Sequence, residues 1–253
     1  MINIKMTDPT IKKINTHSKY HGPPSRVDMY QKNLNRRGLG AYFVQECRYL
    51  ESFFEMVNSH VPRGSSLLEC GYGPGALGIF LSRHGYNVVC LDMDSDVIEL
   101  GRNVNHRLEG EVQFQVCDLF DVDKKFAPDS FDAVISDVTL EHFSDDDILE
   151  LLQKQLSVAK LNIFAVHCAN ILPEHIQGLD GGERLLKPSY WEALIKKAGG
   201  TVIDRFGYGF HYTRIGLLNW RIQELAEKLA ERIFYKRLAR FAAATGFVVK
   251  RGI

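Results

Sequence analysis

The stretch Glu69-Cys70-Gly71-Tyr72-Gly73-Pro74-Gly75-Ala76-Leu77-Gly78, ECGYGPGALG, decides the fold, and it fits two glycine-loop patterns. From Gly71 it scans as G-x-G-x-x-A, a variant of the dinucleotide fingerprint. From Glu69 it scans as E-x-G-x-G-x-G. A carboxylate two residues before the glycine turn would oppose a bound pyrophosphate and suits a cation instead. Glycines without β-carbons let the N–H groups at a helix start approach a ligand, and those groups favour a carboxylate as readily as a phosphate. A ligand carrying ammonium and carboxylate together therefore fits this loop better than NAD. A Walker loop is excluded, because no Gly-Lys-Ser/Thr follows.

Outward from this loop the chain alternates short apolar runs with amphipathic ones. SSLLEC (65–70), NVVCLD (87–92), VQFQVCD (112–118), FDAVISD (131–137) and NIFAVHC (162–168) read as strands. The segments between them have helical character, with starts at Gly75, at Asp94-Ser95-Asp96 and at Ser144-Asp145-Asp146-Asp147, where short polar or acidic residues suit a helix N-terminus. Ser189 to Glu192 has capping-box spacing and opens a helix through Ala198. Thr201–Phe206 is a sixth strand and Ala242–Lys250 a seventh, with an amphipathic helix over 217–240 between them. Repeated β-α units predict an α/β fold of the doubly wound, Rossmann-like kind, a parallel sheet covered by helices on both faces. Ligands of such sheets sit beyond the carboxyl ends of the strands. Asp92, 21 residues after Gly71, holds the position from which an acid accepts from ribose hydroxyls, and Asp118 adds an acid beside an adenine-sized slot.

Residues 1–25 are polar and rich in turn formers. From Val27 to Val57 the apolar positions Tyr42, Phe43, Cys47, Leu50, Phe53, Phe54 and Val57 recur at helical spacing, interrupted near Arg36–Gly40, which predicts two helical pieces. The 253 residues are 45% hydrophobic and 25% charged, enough for one substantial core. Basic and acidic residues balance at 31 each, so no overall field recommends a nucleic acid or an anionic membrane. Five cysteines without a C-x-x-C pair read as reduced, buried thiols. With neither an export signal nor a transmembrane run in view, a cytoplasmic protein is expected.

Taken in order, ECGYGPG, LDMD, VCDLF and FDAVISDVTLEHF resemble the class I S-adenosylmethionine-dependent methyltransferases, with the four motifs correctly spaced between Leu67 and about Lys160. The resemblance implies seven strands with the last antiparallel, a cofactor S-adenosylmethionine, and a division into a helical N-terminal arm and lid (1–63) and a methyltransferase domain (64–253) with a helical insertion at about 207–240. It implies that Glu69, Gly71, Gly73 and Gly75 surround the methionine portion, that Asp92 and Met93 meet the ribose and adenine, that Asp118 and Leu119 meet the adenine, and that Ser136 meets the amino group through its backbone.

The segment Asp137–Phe143 follows strand four and faces the reaction crevice. Methyl transfer is an in-line displacement that mainly requires two reactants held close and aligned. A base matters only when the nucleophile carries a proton; His142 could remove one, with Glu141 and Asp137 as further catalytic candidates. A metal-binding variant of the family uses E-x-x-E-H. Here Glu141-His142 match, Val138 replaces the first glutamate, and His167 could only complete an incomplete shell, so no metal is expected. The amide-methylating N-P-P-Y is absent. Tyr20, Tyr30, Tyr42, His175, Tyr208, Phe210, His211 and Tyr212 fall in segments expected to form a substrate lid. The 217–240 helix carries an apolar stripe, suited to packing or to a homodimer, and a basic end at Arg232, Lys236, Arg237 and Arg240. The expected substrate is a small molecule methylated on oxygen or nitrogen, with RNA methylation or a catalytically silent scaffold as alternatives.

Overall fold

The computed structural model describes residues 27–73, 75–168, 183–209 and 242–252. Three helices come first: α1 (Val27–Arg37), α2 (Leu39–Tyr49) and α3 (Glu51–His60). The break between α1 and α2 falls at Gly38, whose φ of 77° only glycine adopts readily. The break between α2 and α3 at Leu50 has no glycine or proline to announce it, which is why two pieces were expected and three are found. Leu50 ends α2 by donating its N–H to Glu46 and starts α3 at φ −92° and ψ 10°, a bend that its burial in the core holds.

Seven strands follow: β1 (Ser66–Cys70), β2 (Asn87–Asp92), β3 (Gln113–Val116), β4 (Phe131–Asp137), β5 (Ala159–His167), β6 (Gly200–Tyr208) and β7 (Ala244–Arg251). They form one sheet in the order β3-β2-β1-β4-β5-β7-β6. The first five are parallel, and β7 runs antiparallel to both neighbours, as expected. The order reverses at β1, so the crevice above β1 and β4 is the switch point of the sheet.

Alternating side chains divide the core. Leu67, Ala133, Ile135, Ile163 and Ala165 face α3, α4 (Ala76–Arg83) and α5 (Ser95–Arg107). Leu68, Val134, Phe164 and Val166 face α7 (Asp145–Val158) and α8 (Pro188–Lys197). Full burial of a side chain such as Phe53, Phe206 or Ile163 contributes about 1.5–3 kcal/mol. The connection from β3 to β4 is short, one 3-10 turn and α6 (Val122–Lys125).

The helix starts have identifiable causes. Gly75 precedes α4 in the left-handed region, Asp94 caps α5 by accepting from Asp96 N at 2.9 Å, and Ser144 caps α7 by accepting from Asp147 N. The expected capping box at Ser189 is replaced by Pro188 at the first helical position, where a missing N–H costs nothing. Four cysteines are buried and Cys47 is partly exposed, all of them free thiols. No helix among the described residues is long and apolar enough to cross a membrane. The 217–240 helix and its basic end lie outside the described residues.

Candidate active site

Gly71, Gly73 and Gly75 all have positive φ, 73°, 53° and 79°, so the chain after β1 turns in a conformation that other residues resist. Each glycine also meets a neighbour. A β-carbon on Gly71 would lie 2.5 Å from the Thr139 side chain, whose hydroxyl stands within 3.4 Å of the carbonyls of Cys70, Gly71 and Asp137. Thr139 thus fastens the loop after β4 to the glycine turn. A β-carbon on Gly73 would lie 3.0 Å from the Tyr30 hydroxyl, so α1 closes over the turn. Tyr72 points back into the core, its ring edge-on to Phe114 at 5.0 Å.

Glu69 shares the face of Leu67 and is buried against α4, where its carboxylate accepts from Cys90 Sγ at 2.9 Å and from the Gly78 N–H. A β-carbon on Gly78 would strike that carboxylate. Burial, together with the nearby Asp137 and Asp92 charges, outweighs those bonds and pushes Glu69 up to about 8. Asp92, half-buried at the end of β2, accepts from the N–H groups of Asp94, Gly73 and Met93. Desolvation still raises it to about 6. Both groups are costly to ionise until a cation or a set of hydroxyl donors arrives.

Asp118 accepts from Phe120 N at 2.9 Å and caps the 3-10 turn that carries the buried Leu119. Cys117 N donates to Asp92 O at 2.9 Å, which joins the ends of β2 and β3. Ser136 is fully buried and pairs with Phe164 in the ladder, and its hydroxyl has no hydrogen-bond partner among the described residues. Glu69, Asp92, Ser136 and Asp137 lie in the last two residues of their strands and Asp118 two residues past β3, so all five stand at the carboxyl edge of the sheet.

The catalytic candidates separate in space. Asp137 accepts from the Tyr208 hydroxyl at the end of β6, and burial raises its carboxyl to about 6 against that bond and the His167 charge. The next residue, Val138, has φ 51°, a strained conformation for a β-branched side chain and one that clusters at functional sites. Glu141 and His142 follow in a 3-10 turn and are nearly closed off, at 0% and 2% exposure. Glu141 Oε1 accepts from His167 N at 3.0 Å, its Oε2 has no partner among the described residues, and burial raises it to about 7. His167 Nδ1 lies 2.9 Å from Glu183 Oε2. Burial would lower this histidine, but the Glu183 hydrogen bond and the Glu141, Glu183 and Asp137 charges together raise it to about 9. His167 is thus a paired cation. Among the described residues no three His, Cys, Asp or Glu side chains are disposed to hold a metal.

Sequence reasoning overlooked Glu46 and Glu183. Glu46, half-buried on α2, lies close enough to Asp137 that burial and that charge raise it to about 7. Its signal was its place in α2, four residues after Tyr42 and three before Tyr49, on one helical face. Of the expected lid residues, Tyr30 lies against Gly73, Tyr42 is buried, and Tyr208 is a fully buried core residue whose hydroxyl meets Asp137; Tyr20, His175, Phe210, His211 and Tyr212 lie outside the described residues.

These residues fit S-adenosylmethionine. The positive-φ glycine turn leaves backbone at a helix start for a carboxylate, Asp137 at the end of β4 supplies an acid suited to a cation, Asp92 has acceptor capacity for a ribose, and Glu69, buried behind the turn, adds a further acid beneath it. Comparison with known proteins agrees. Residues 67–162 match the family model described as a methyltransferase domain. No curated protein sequence is significantly similar to the chain.

Among solved structures, an S-adenosylmethionine-dependent methyltransferase of Clostridium acetobutylicum superposes with a TM-score of 0.62 at 11% identity, covering 90% of this chain and all of that one, 100%. The magnesium protoporphyrin IX methyltransferase of Synechocystis, with bound S-adenosylhomocysteine, gives 0.55 at 15% identity over 88% and 87%. A complex of the Haloferax volcanii Trm112 methyltransferase activator with a methyltransferase gives 0.60 at 16% identity over 90% and 98%. At such identities the likeness is one of fold. Joined to the order of the sheet, the comparisons give this chain a methyltransferase domain over residues 67–162 and the fold of the S-adenosylmethionine-dependent methyltransferases.

Proposed function

We propose that the protein transfers the methyl group to an oxygen or nitrogen of a small-molecule metabolite. One observation carries this reading: the chain closes over its own crevice. Tyr30 of α1 stands over Gly73, Glu46 of α2 lies near enough for the Asp137 charge to raise its carboxyl, and Tyr49 at the end of α2 meets Tyr208 edge-on at 5.0 Å. An acceptor enclosed by aromatic and acidic side chains of one chain is a small molecule rather than a polyanion, whose phosphates the acids would repel. The charge balance of 31 against 31 supports the same choice.

In this reading S-adenosylmethionine supplies an activated methyl carbon. Glu69, Gly71, Gly73 and Gly75 hold its methionine end, with the Ser136 backbone at the amino group; Asp92 and Met93 take the ribose, and Asp118 and Leu119 the adenine. Asp137 stands on the acceptor side. His142 and Glu141, lodged in the turn behind it, act by shaping the Asp137–Phe143 loop, with His142 in proton transfer only where that loop opens toward the acceptor.

The test is methyl-labelled S-adenosylmethionine offered with three fractions: a low-molecular-weight metabolite extract, RNA and protein. Label in the metabolite fraction supports the reading. Label in RNA would replace it with macromolecular methylation, and cofactor binding without transfer to any fraction would favour a silent scaffold.

A further inference from the structure

The loop between β4 and α7 is gripped from outside by one arginine. Residues 183–186, ahead of α8, lie against the turn that carries Glu141. Arg184 donates its backbone N–H to Glu141 O at 2.9 Å, its Nη1 to Phe143 O at 2.9 Å and its Nη2 to Asp145 Oδ1 at 2.7 Å. These three bonds span the junction at which the 3-10 turn passes into α7. The grip is itself anchored on both sides. Glu183 Oε2 accepts from His167 Nδ1 at 2.9 Å, Leu186 forms a parallel bridge with Cys168 just past β5, and Tyr190 of α8 donates its hydroxyl to the other oxygen of Asp145.

What the grip holds is a strained stretch of backbone that reaches the glycine turn. Val138, at φ 51°, is β-branched and in the left-handed region, a conformation that persists only where its surroundings over-determine it. Its own N–H is tied to Ala165 O at 2.9 Å, on the β5 side. The next residue is Thr139, whose hydroxyl stands within 3.4 Å of the carbonyls of Cys70, Gly71 and Asp137. A change at Val138 would therefore swing Asp137 and Thr139 apart and release the glycine turn from the loop.

The residue type suits placement more than stability. With side chains 34% and 35% exposed, the Arg184–Asp145 pair is screened by solvent and contributes little as an ion pair. A planar guanidinium, however, reaches a carbonyl and a carboxylate at once in a fixed geometry, which a single ammonium on a flexible stem does not. We propose that Arg184 is a positioning residue for methyl transfer: by fixing the turn at Glu141, Phe143 and Asp145 it keeps Val138 in its left-handed conformation, and so keeps Thr139 on the glycine turn and Asp137 at the end of β4. This rests on the crevice holding S-adenosylmethionine and is independent of which acceptor is methylated.

The test is calorimetric titration of the full chain with S-adenosylhomocysteine, run as a cycle between Arg184 and Val138. Arg184→Ala should raise the dissociation constant about tenfold or more. Glycine adopts the φ of Val138 without strain, so in a Val138→Gly background the same substitution should cost less than about threefold. A merely structural arginine would cost the same in both backgrounds. Should Arg184→Ala fail to fold, Arg184→Lys keeps the charge but not the fork and carries the cycle in its place, with a loss of about threefold or more that the Val138→Gly background removes. Full affinity in the arginine variants, or an equal loss with and without Val138, would overturn the proposal. Failure of the unaltered protein to bind S-adenosylhomocysteine would instead overturn the cofactor reading beneath it, so the two failures are distinct.

Discussion

A β-carbon built on Gly101 would coincide with the hydroxyl of Tyr72, so the second residue of the glycine turn reaches across to the middle of α5 and occupies the space of a missing side chain. Gly75 yields to the same ring on its other side. The turn is therefore anchored from beneath by one tyrosine between two glycines, and Tyr72 is held further by its hydroxyl, 3.4 Å from Val97 O.

This relationship inverts an ordinary expectation. Glycine to alanine inside a helix normally gains about 1 kcal/mol. Gly101→Ala should instead destabilise the protein, because displacing a packed ring costs about 1–3 kcal/mol, more than the helix gains. Urea denaturation of Gly101→Ala, Tyr72→Ala and the double variant gives the coupling. The two losses should be strongly non-additive; additive losses would mean that Tyr72 and Gly101 do not share one space.

The cofactor crevice makes a second expectation. A ligand that binds only the folded state raises its melting temperature. S-adenosylhomocysteine should do so and NADH should not, because Glu69 opposes a pyrophosphate where it would pair with an ammonium. Asp92→Ala removes an acceptor of ribose hydroxyls, a charge-assisted contact worth about 1.5–3 kcal/mol, so the dissociation constant should rise by about tenfold or more. Unchanged affinity in that variant would move the ribose elsewhere.

The buried acids set the direction of the pH dependence. Glu69, Glu46 and Glu141 are raised from 4.5 to about 8, 7 and 7, and Asp92 and Asp137 from 3.8 to about 6. A carboxyl raised on folding stabilises the native state fully below its unfolded value and loses that contribution as pH rises through the folded one. His167, raised from 6.5 to about 9, behaves the same way at the upper end. The ligand-free protein should therefore lose stability steadily between about pH 5 and 9. Ligands bearing an ammonium oppose this, so the increment in melting temperature given by S-adenosylhomocysteine should grow over the same range. A melting temperature of the free protein that rises with pH would contradict the burial of these acids.

The sheet was legible because its signals are local. Each strand is a short apolar run, and each acid at a strand end sits at a fixed distance from the glycine turn, so β2 and β4 were read to their exact ends at Asp92 and Asp137. The acceptor side was less legible because its contacts are long-range. Tyr49 meets Tyr208, and Glu46 comes under the influence of the Asp137 charge, only after α2 is laid over the sheet, and no periodicity encodes that crossing. The same holds for His167 and Glu183, 16 residues apart in sequence, whose pairing beside Glu141 no local pattern announces. Leu50, a hydrophobic residue at a bend, carried no mark at all.

The last prediction separates shape from chemistry in the turn after β4. Glu141 is fully buried, accepts from the His167 N–H through one oxygen, and leaves the other without a partner among the described residues. If its role is to hold the end of β5 in register with the loop, what matters is an acceptor atom, not a charge. Glu141→Gln keeps a carbonyl for the His167 N–H and removes a carboxyl that burial makes costly to ionise, so its turnover should stay within about twofold and its stability should hold or rise. Glu141→Ala, which leaves that N–H unsatisfied and His167 short of a partner, should lose about 3–5 kcal/mol. A proton-transferring glutamate predicts the reverse order: the amide would cost about a hundredfold or more in turnover, with stability intact. His142→Ala read beside them completes the discrimination. A fall in turnover at unchanged melting temperature and cofactor affinity assigns it the proton, whereas joint loss of stability and affinity assigns it, with Glu141, to the shape of the loop that carries Asp137.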